Sequence, residues 1–200
     1  GPGKERDAHR KYDPYRIKVK SVEGKEMKLL SFGYRGKERA GLLAGETIID
    51  LNGASQNLLV EPLPADLKEI LALPDWVQKL QHIYEAISSL PNRVFYSLKT
   101  TRIAPPIPNP SKIIALGANY KEHLEETKMD IEPPKIPIIF AKTPNSVNGP
   151  YDNILYPPET NALDYEVELA IVIGRQGKRI KLEEAYNYIA GYTIINDVSA

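Results

Sequence analysis

The sequence predicts a strand-rich α+β protein, and three observations carry this prediction. Short apolar stretches separated by glycine-containing turn signals follow one another between Met27 and Leu51. A pair of helical patterns, divided by Pro74, lies between residues 65 and 90. Seven prolines between residues 133 and 158 then interrupt short apolar pieces. Such frequent interruption by proline is typical of irregular strands and long loops rather than of a doubly wound sheet.

The first half of the chain is expected to contain an extension and one small domain. Residues 1–26 carry eight Lys and Arg against five Asp and Glu, and we interpret them as a basic extension or a cloning remnant. Within them, the alternating residues 15–20 could still form an edge strand. Residues 27–103 are expected to form a small N-terminal α/β domain, with helices at 65–73 and 75–90. Asp75 is the expected N-cap of the second helix.

A proline-rich segment separates this domain from the next. Residues 104–110 hold four prolines in seven positions, which excludes a helix or a central strand and predicts a stiff linker. Residues 111–200 then form the expected second domain. Its predicted elements are a strand at 112–116, a short polar helix at 120–128, a long strand at 163–174, a helix at 182–188 and a strand at 189–196.

Composition excludes several classes of function. The chain has 26 Lys and Arg against 26 Asp and Glu, so nothing in the net charge favours a nucleic-acid or membrane-surface partner. It has no cysteine, which excludes disulfides, thiolate metal sites and cysteine nucleophiles. The apolar runs are six or seven residues long, far short of the roughly 18 needed to span a bilayer. We therefore expect a cytoplasmic protein.

Two acidic residues stand out on the predicted strand 163–174. Glu166 and Glu168 alternate with apolar residues, so both carboxylates point to one face, about 7 Å apart along the strand. The opposite face, residues 165, 167, 169, 171 and 173, is expected to pack into the core. One interpretation is an edge strand whose acids face solvent or pair with a lysine. The other is a cation site, because converging carboxylates that leave water need a positive charge between them.

Three further residues are candidates for chemistry. Asp197 ends the apolar run 189–196, where a ligating carboxylate would reach the rim of a sheet, although a strand-terminal Asp with Ser199 nearby also suits a turn or a helix cap. His123 and Glu126 are three residues apart on the predicted polar helix. Such neighbours suit a general base oriented by a carboxylate, and equally suit an ordinary polar surface.

Five ordered motifs in residues 112–200 resemble the fumarylacetoacetate hydrolase family. The resemblance is to its short-chain branch, which includes acylpyruvate hydrolases and 2-hydroxyhepta-2,4-diene-1,7-dioate isomerases. Residues 27–51 also resemble the small N-terminal domain of many members. The motifs are GANYKEH at 117–123, FAKTP at 140–144, GPY at 149–151, DYEVELA at 164–170, and GYT at 191–193 with NDVSA at 196–200.

The resemblance implies both a fold and a site. It implies the first part of a mixed β-roll catalytic domain, incomplete at its C-terminal side because family members continue beyond the NDVSA motif. It also implies Mg²⁺ or Mn²⁺ held by Glu166, Glu168 and Asp197, and three oxygen donors suit these hard cations. His123, oriented by Glu126, would activate water. Lys142 would neutralise a substrate carboxylate, or is simply an exposed lysine.

The implied activity is hydrolysis of a C–C bond in acylpyruvate-like or fumarylpyruvate-like 1,3-dicarbonyl acids through a metal-stabilised enolate. The implied partners are a small oxoacid substrate and a second copy of the chain in a homodimer. Family members with the same metal site are also decarboxylases or isomerases of oxo-diacids, which is the first alternative. The second alternative, from another class, is a non-catalytic cation-binding or remnant domain.

Overall fold

One large antiparallel sheet dominates the fold. The computed structural model describes residues 16–20, 24, 26–120 and 136–200 of the chain. Within them, eight strands form a sheet of order β5-β4-β3-β2-β1-β10-β9, with β6 paired to β2, and β7 and β8 form a separate antiparallel pair. The strands are β1 (Ile17–Lys20), β2 (Glu26–Phe32), β3 (Arg39–Ala44), β4 (Thr47–Asp50), β5 (Phe95–Ser97), β6 (Ile103–Ala104), β7 (Ile113–Gly117), β8 (Ile138–Lys142), β9 (Val167–Ile173) and β10 (Ile189–Asn196).

The helices are few and short. They are α1 (Leu51–Leu58), α2 (Leu67–Leu71) and α3 (Trp76–Glu85), and a 3-10 helix spans Leu182–Tyr188, where an α-helix was expected. The helix α1 was not predicted; Asp50 begins it by accepting a hydrogen bond from the Gly53 backbone. Asp75 occupies the N-cap position of α3, but its carboxylate binds the Lys79 ammonium instead of the backbone. In the described part of the chain, no helix is long and apolar enough to cross a membrane.

The main core lies where the helices cover strands β2–β4. Leu29, Leu42 and Ile49 come from three neighbouring strands and are completely buried with side chains of α1, α2 and α3. A smaller cluster on the other face of the same strands includes Phe32, which packs against the Tyr96 ring at 5.0 Å between centroids. The three strands expected between residues 27 and 51 are therefore confirmed, and burial of both faces explains their strongly apolar sequence.

Strand β1 is an interior strand, which corrects the expectation of an edge strand within an extension. It pairs with β2 on one side and with β10 on the other. Ile17 and Val19 are buried in the main core. Gly191 of β10 lies so close to β1 that a Cβ atom there would collide with the Lys18 carbonyl. Residues 17–20 thus join the two halves of the sheet.

The chain divides into two compact units along a line that differs from the predicted domains. Residues up to 108 and residues 148–200 form one unit, and residues 109–147 form the other. The reason is that β9 and β10, which follow the predicted linker, continue the sheet that β1 begins. The linker itself is partly attached, since β6 pairs with β2 and the Ser31 hydroxyl donates to the Pro106 carbonyl at 2.8 Å. The division into residues 1–26, 27–103, 104–110 and 111–200 stays a prediction.

The apolar face of β9 is exposed, which is the opposite of what alternation suggested. Val167, Leu169, Ile171 and Ile173 are 52–66% exposed, and Tyr165 just before them is 73% exposed. The face that bears the acidic residues is the partly buried one. Alternation identifies the two faces of a strand but does not say which face a neighbouring layer covers.

Candidate functional site

The backbone brings the predicted acidic residues to one end of strands β9 and β10. Glu168 pairs with Ile195 and Val167 with Asn196. The same register continues beyond the strands to an isolated bridge between Asp164 and Ser199. Glu166 therefore lies opposite Asp197, and the Asp197 N–H donates to the Glu166 carbonyl at 2.7 Å.

All three carboxylates consequently leave the sheet on the same face. Residues directly opposite each other in an antiparallel pair share a face, and so do residues two apart on one strand. Glu166 and Glu168 are two apart on one strand, and Asp197 is opposite Glu166. Sequence alternation identified the first pair, but only the register adds Asp197, which is 31 residues after Glu166 in the chain.

The environment of this face is partly shielded from water. Asp197 is 9% exposed, and Glu166 and Glu168 are partly buried. In the described part of the chain, neither glutamate forms an ion pair with a lysine or arginine. Like charges that lie opposite each other and partly out of water repel, so a cation between them would stabilise the arrangement.

The carboxylates are not gathered around one point. Among the residues that the structure describes, no three side chains of His, Cys, Asp or Glu are placed so that they could hold a metal ion together. The oxygen donors and their register suit Mg²⁺ or Mn²⁺, whereas the side-chain positions do not form a ready coordination shell. The ligand set Glu166, Glu168 and Asp197 therefore stays a prediction.

Asp197 continues a strand rather than capping a helix. Its backbone lies between the ladder that ends at Asn196 and the Asp164–Ser199 bridge, whose two hydrogen bonds are 2.8 and 3.1 Å long. The Asn196 side-chain carbonyl accepts from the Glu166 N–H at 2.9 Å. The Ser199 hydroxyl donates to the Asp197 carbonyl at 3.0 Å.

The remaining predicted residues belong to the second unit. His123 and Glu126, with the helix expected at 120–128, fall outside the described residues except for Tyr120. Lys142 ends β8, where it pairs with Ile113 of β7, and it is partly buried. The predicted roles of all three side chains stay predictions.

Sequence reasoning missed an ionic cluster in the first unit. The Arg102 guanidinium forms two hydrogen bonds with the Asp152 carboxylate, at 3.1 and 2.6 Å. Hydrogen bonding with Arg102 holds the pKa of Asp152 below its usual range, opposed by partial burial and assisted by Arg35. These residues are 50 positions apart. The one available signal was that Asp152 immediately follows the GPY motif.

Residues 112–200 match the family model described as "Fumarylacetoacetate (FAA) hydrolase C-terminal". Over these 89 residues (112 to 200) the chain is similar to the fumarylacetoacetate hydrolase family. The resemblance inferred from the five motifs is thereby confirmed, and these motifs contain Glu166, Glu168 and Asp197.

Curated relatives extend the similarity into the N-terminal residues. The chain is 42% identical over 163 residues to a fumarylacetoacetate hydrolase domain-containing protein 2 homolog of Dictyostelium discoideum, covering 82% of this chain and 50% of that protein. It is 39% identical over 167 residues to the oxaloacetate tautomerase YisK of Bacillus subtilis, covering 80% of this chain and 55% of that protein. The chain thus spans about half the length of these relatives.

Solved structures confirm the strand-rich α+β fold class. A fumarylacetoacetate hydrolase from Exiguobacterium antarcticum is 30% identical with a TM-score of 0.61, covering 87% of this chain and 56% of that one. Maleylpyruvate hydrolase from Sphingobium sp. SYK-6, solved with manganese(II) and pyruvate, is 24% identical with a TM-score of 0.62, covering 85% and 58%. This second likeness is one of fold alone.

Proposed function

We propose that this protein is a divalent-cation-dependent enzyme acting on small 2-oxo dicarboxylic acids. Glu166, Glu168 and Asp197 are the proposed ligands of Mg²⁺ or Mn²⁺. The observation that supports the proposal is the register of β9 with β10, which is regular from the Gly191–Val172 pair to the Asp164–Ser199 bridge, so that all three residues share one partly buried face. A domain of the fumarylacetoacetate hydrolase family, with its oxaloacetate tautomerase relatives, supports an enzyme.

The carboxylates supply what such a cation requires. Oxygen ligands in a site without Cys or His favour Mg²⁺ or Mn²⁺ over zinc. Since the side chains are not gathered in the structure, the glutamates would change rotamer when an ion binds. When bound, the ion supplies a Lewis acid that polarises the carbonyl group of a 2-oxo acid.

The reaction that we propose first is keto–enol tautomerisation of oxaloacetate. Relatives at 39–47% identity are named oxaloacetate tautomerases, from bacterial and mitochondrial sources. Such a reaction moves a proton between a carbon atom and an oxygen atom and breaks no C–C bond. His123, oriented by Glu126, is the proposed group that holds and moves this proton. Lys142 is the proposed partner of a substrate carboxylate.

The second candidate is hydrolysis of an acylpyruvate-like C–C bond. The observation in its favour is the His123 and Glu126 pair, because a histidine oriented by a carboxylate suits activation of a water molecule. Decarboxylation or isomerisation of an oxo-diacid would use the same proposed cation. A non-catalytic cation-binding role is the alternative from another class.

Metal binding and turnover test the proposal separately. Isothermal titration with Mn²⁺ should show one site, and Glu168→Gln should weaken the affinity at least tenfold. The matched control is Glu184→Gln, an exposed acid on the 3-10 helix, which should bind Mn²⁺ as the wild type does. Equal affinity of Glu168→Gln and Glu184→Gln would remove the ligand assignment.

Activity is then measured by the absorbance of the enol form of oxaloacetate, with an acylpyruvate as the second substrate. Mg²⁺-dependent loss of enol absorbance that His123→Ala slows without changing Mn²⁺ affinity supports the tautomerase. Mn²⁺ binding without turnover of either substrate supports the non-catalytic alternative. Cleavage of the acylpyruvate alone supports the hydrolase.

We also propose that the whole protein works as a homodimer, with a small oxoacid as its substrate and no nucleic-acid or membrane partner. Light scattering of the purified protein measures the assembly. A monomeric mass at working concentration contradicts the proposed dimer. It does not test the proposed metal ligands.

A further inference from the structure

The chain passes between its two compact units at two places, after residue 108 and after residue 147. Ahead of the first crossing, β6 is held to β2 by pairing of Ile103 with Phe32 and of Ala104 with Ser31. After the second crossing, residues 148–153 form a turn in which the Asp152 N–H donates to the Gly149 carbonyl at 3.2 Å. We call these segments, residues 103–108 and 148–153, the two stalks.

Arg102, immediately before the first stalk, forms hydrogen bonds with Asp152 of the second stalk. Its Nε and Nη2 atoms donate to the two oxygens of Asp152 at 3.1 and 2.6 Å. Its Nη1 atom donates to the Gly33 carbonyl at 2.9 Å and approaches a Glu38 oxygen at 3.5 Å. A two-bond guanidinium–carboxylate pair is stronger and more directional than a single ionic contact.

Further contacts tie the second stalk to itself and to the sheet. Arg35 donates both to Asp152 and to the Asn148 side chain, each at 3.2 Å. The Asn148 amide donates to the Asn153 carbonyl at 2.9 Å. Asn148 is the first residue after the second crossing, so this network begins where the chain re-enters the first unit.

The stalks also touch through their backbones. Gly149 lies so close to the first stalk that a Cβ atom there would be 3.1 Å from the Ile103 carbonyl and 2.6 Å from an Asp152 oxygen. The Asp152 side chain is 17% exposed and the Arg102 side chain is 28% exposed, so solvent screens the pair only partly. The low pKa of Asp152 agrees with a carboxylate that stays charged in this contact.

We propose that the Arg102–Asp152 pair is a clasp that holds the two stalks together, so that residues 109–147 leave and re-enter the chain at one fixed point. Holding the two ends of a 39-residue excursion (109 to 147) together closes it into a loop and lowers its conformational entropy. That excursion carries His123, Glu126 and Lys142. Arg102 and Asp152 are therefore positioning residues for the reaction, and this part of the inference rests on the proposed function.

Hydrogen exchange measured by mass spectrometry tests the clasp without any assay of activity. In Asp152→Asn, the peptides covering both stalks should exchange at least fivefold faster than in the wild type, while peptides of β3 and β4 keep their rates. The matched control is Lys99→Gln, which removes an exposed ion pair with Glu46 in the same unit and should leave the stalks unchanged. Unchanged stalks in Asp152→Asn, or equal acceleration across the whole first unit, would overturn the clasp.

A milder variant keeps the test decisive if Asp152→Asn does not fold. Arg35→Gln removes only the outer contacts of the clasp, since the Arg35 side chain is 74% exposed. Its stalk peptides should exchange about twofold faster, with the rest of the chain unchanged. No acceleration at the second stalk in this variant counts against the clasp.

Kinetics with oxaloacetate and Mg²⁺ test the positioning role. Asp152→Asn should lower kcat/KM at least fivefold while its Mn²⁺ affinity stays within twofold of the wild type. Faster hydrogen exchange of the stalk peptides with unchanged kcat/KM would support the clasp itself. The same result would overturn its positioning role. If the wild type does not act on oxaloacetate, the proposed function fails, and hydrogen exchange alone decides whether the clasp exists.

Discussion

Glu166 lies directly opposite Asp197 across strands β9 and β10, joined by a 2.7 Å hydrogen bond between their backbones. Two carboxylates in this relationship repel each other unless a cation lies between them. Glu168, two residues further along β9, adds a third negative charge to the same face. This relationship is the physical basis of the proposed metal site.

Asp197→Asn should abolish the stabilisation that Mn²⁺ gives to the protein. An ion that binds only the folded state stabilises it by about 2.7 kcal/mol at one hundred times its Kd. In EDTA, the same substitution should change the free energy of unfolding by less than about 1 kcal/mol, since it also removes a repulsion. Thermal unfolding with and without Mn²⁺ measures both effects. A full Mn²⁺ shift in Asp197→Asn contradicts its role as a ligand.

Gly191→Ala should destabilise the protein because β1 lies against this position. The new methyl group would collide with the Lys18 carbonyl and with the side chains of Ile17 and Val19. Overpacking of this kind costs about 1–3 kcal/mol, measured by urea unfolding. Gly117→Ala is the control, because its nearest neighbour, an Ile138 methyl group, would be at an ordinary 3.4 Å. Equal stability of the two variants would mean that β1 does not lie against β10 at this position.

Asp50→Ala should cost more than the loss of a helix cap alone. Asp50 is buried, caps α1 through the Gly53 N–H, and pairs with the Arg39 guanidinium. Removing it takes away the cap, worth about 1 kcal/mol, and leaves a partly buried arginine without this carboxylate. Asp66→Ala, at the N-cap of α2, tests a cap by itself. The difference between the two free energies of unfolding should be at least about 1 kcal/mol.

The contribution of Asp152 to the free energy of unfolding should be lost only when the pH falls below the ordinary pKa range of an Asp carboxyl. Hydrogen bonding with Arg102 lowers the pKa of Asp152 in the folded protein. The stability that it contributes is therefore complete above the unfolded pKa of about 3.9, and is lost as the pH falls through the lower folded pKa. The difference in unfolding free energy between wild type and Asp152→Asn should be constant from pH 5 to 8 and shrink below pH 4. A difference that already falls between pH 7 and 5 contradicts this assignment.

Local patterns were enough to predict several elements. Short apolar stretches between glycine-containing turn signals predicted β2, β3 and β4, and the apolar segments 163–174 and 189–196 predicted β9 and β10. Helix α1 was not predictable in this way, because Asn52, Gly53 and Asn57 are weak helix formers. It forms where Asp50 caps its first turn and Leu51 and Ala54 enter the core.

The sequence by itself determined the resemblance of residues 112–200 to the fumarylacetoacetate hydrolase family, the strand-rich fold class and the types of residue proposed for the site. It also determined that Glu166 and Glu168 share a face, because side chains alternate along any strand. Tertiary structure alone decided that Asp197 joins that face, that β1 is an interior strand, and that Arg102 meets Asp152. The physical reason is that cross-strand register and layer packing depend on contacts between residues far apart in the chain, whose free energies no local pattern contains.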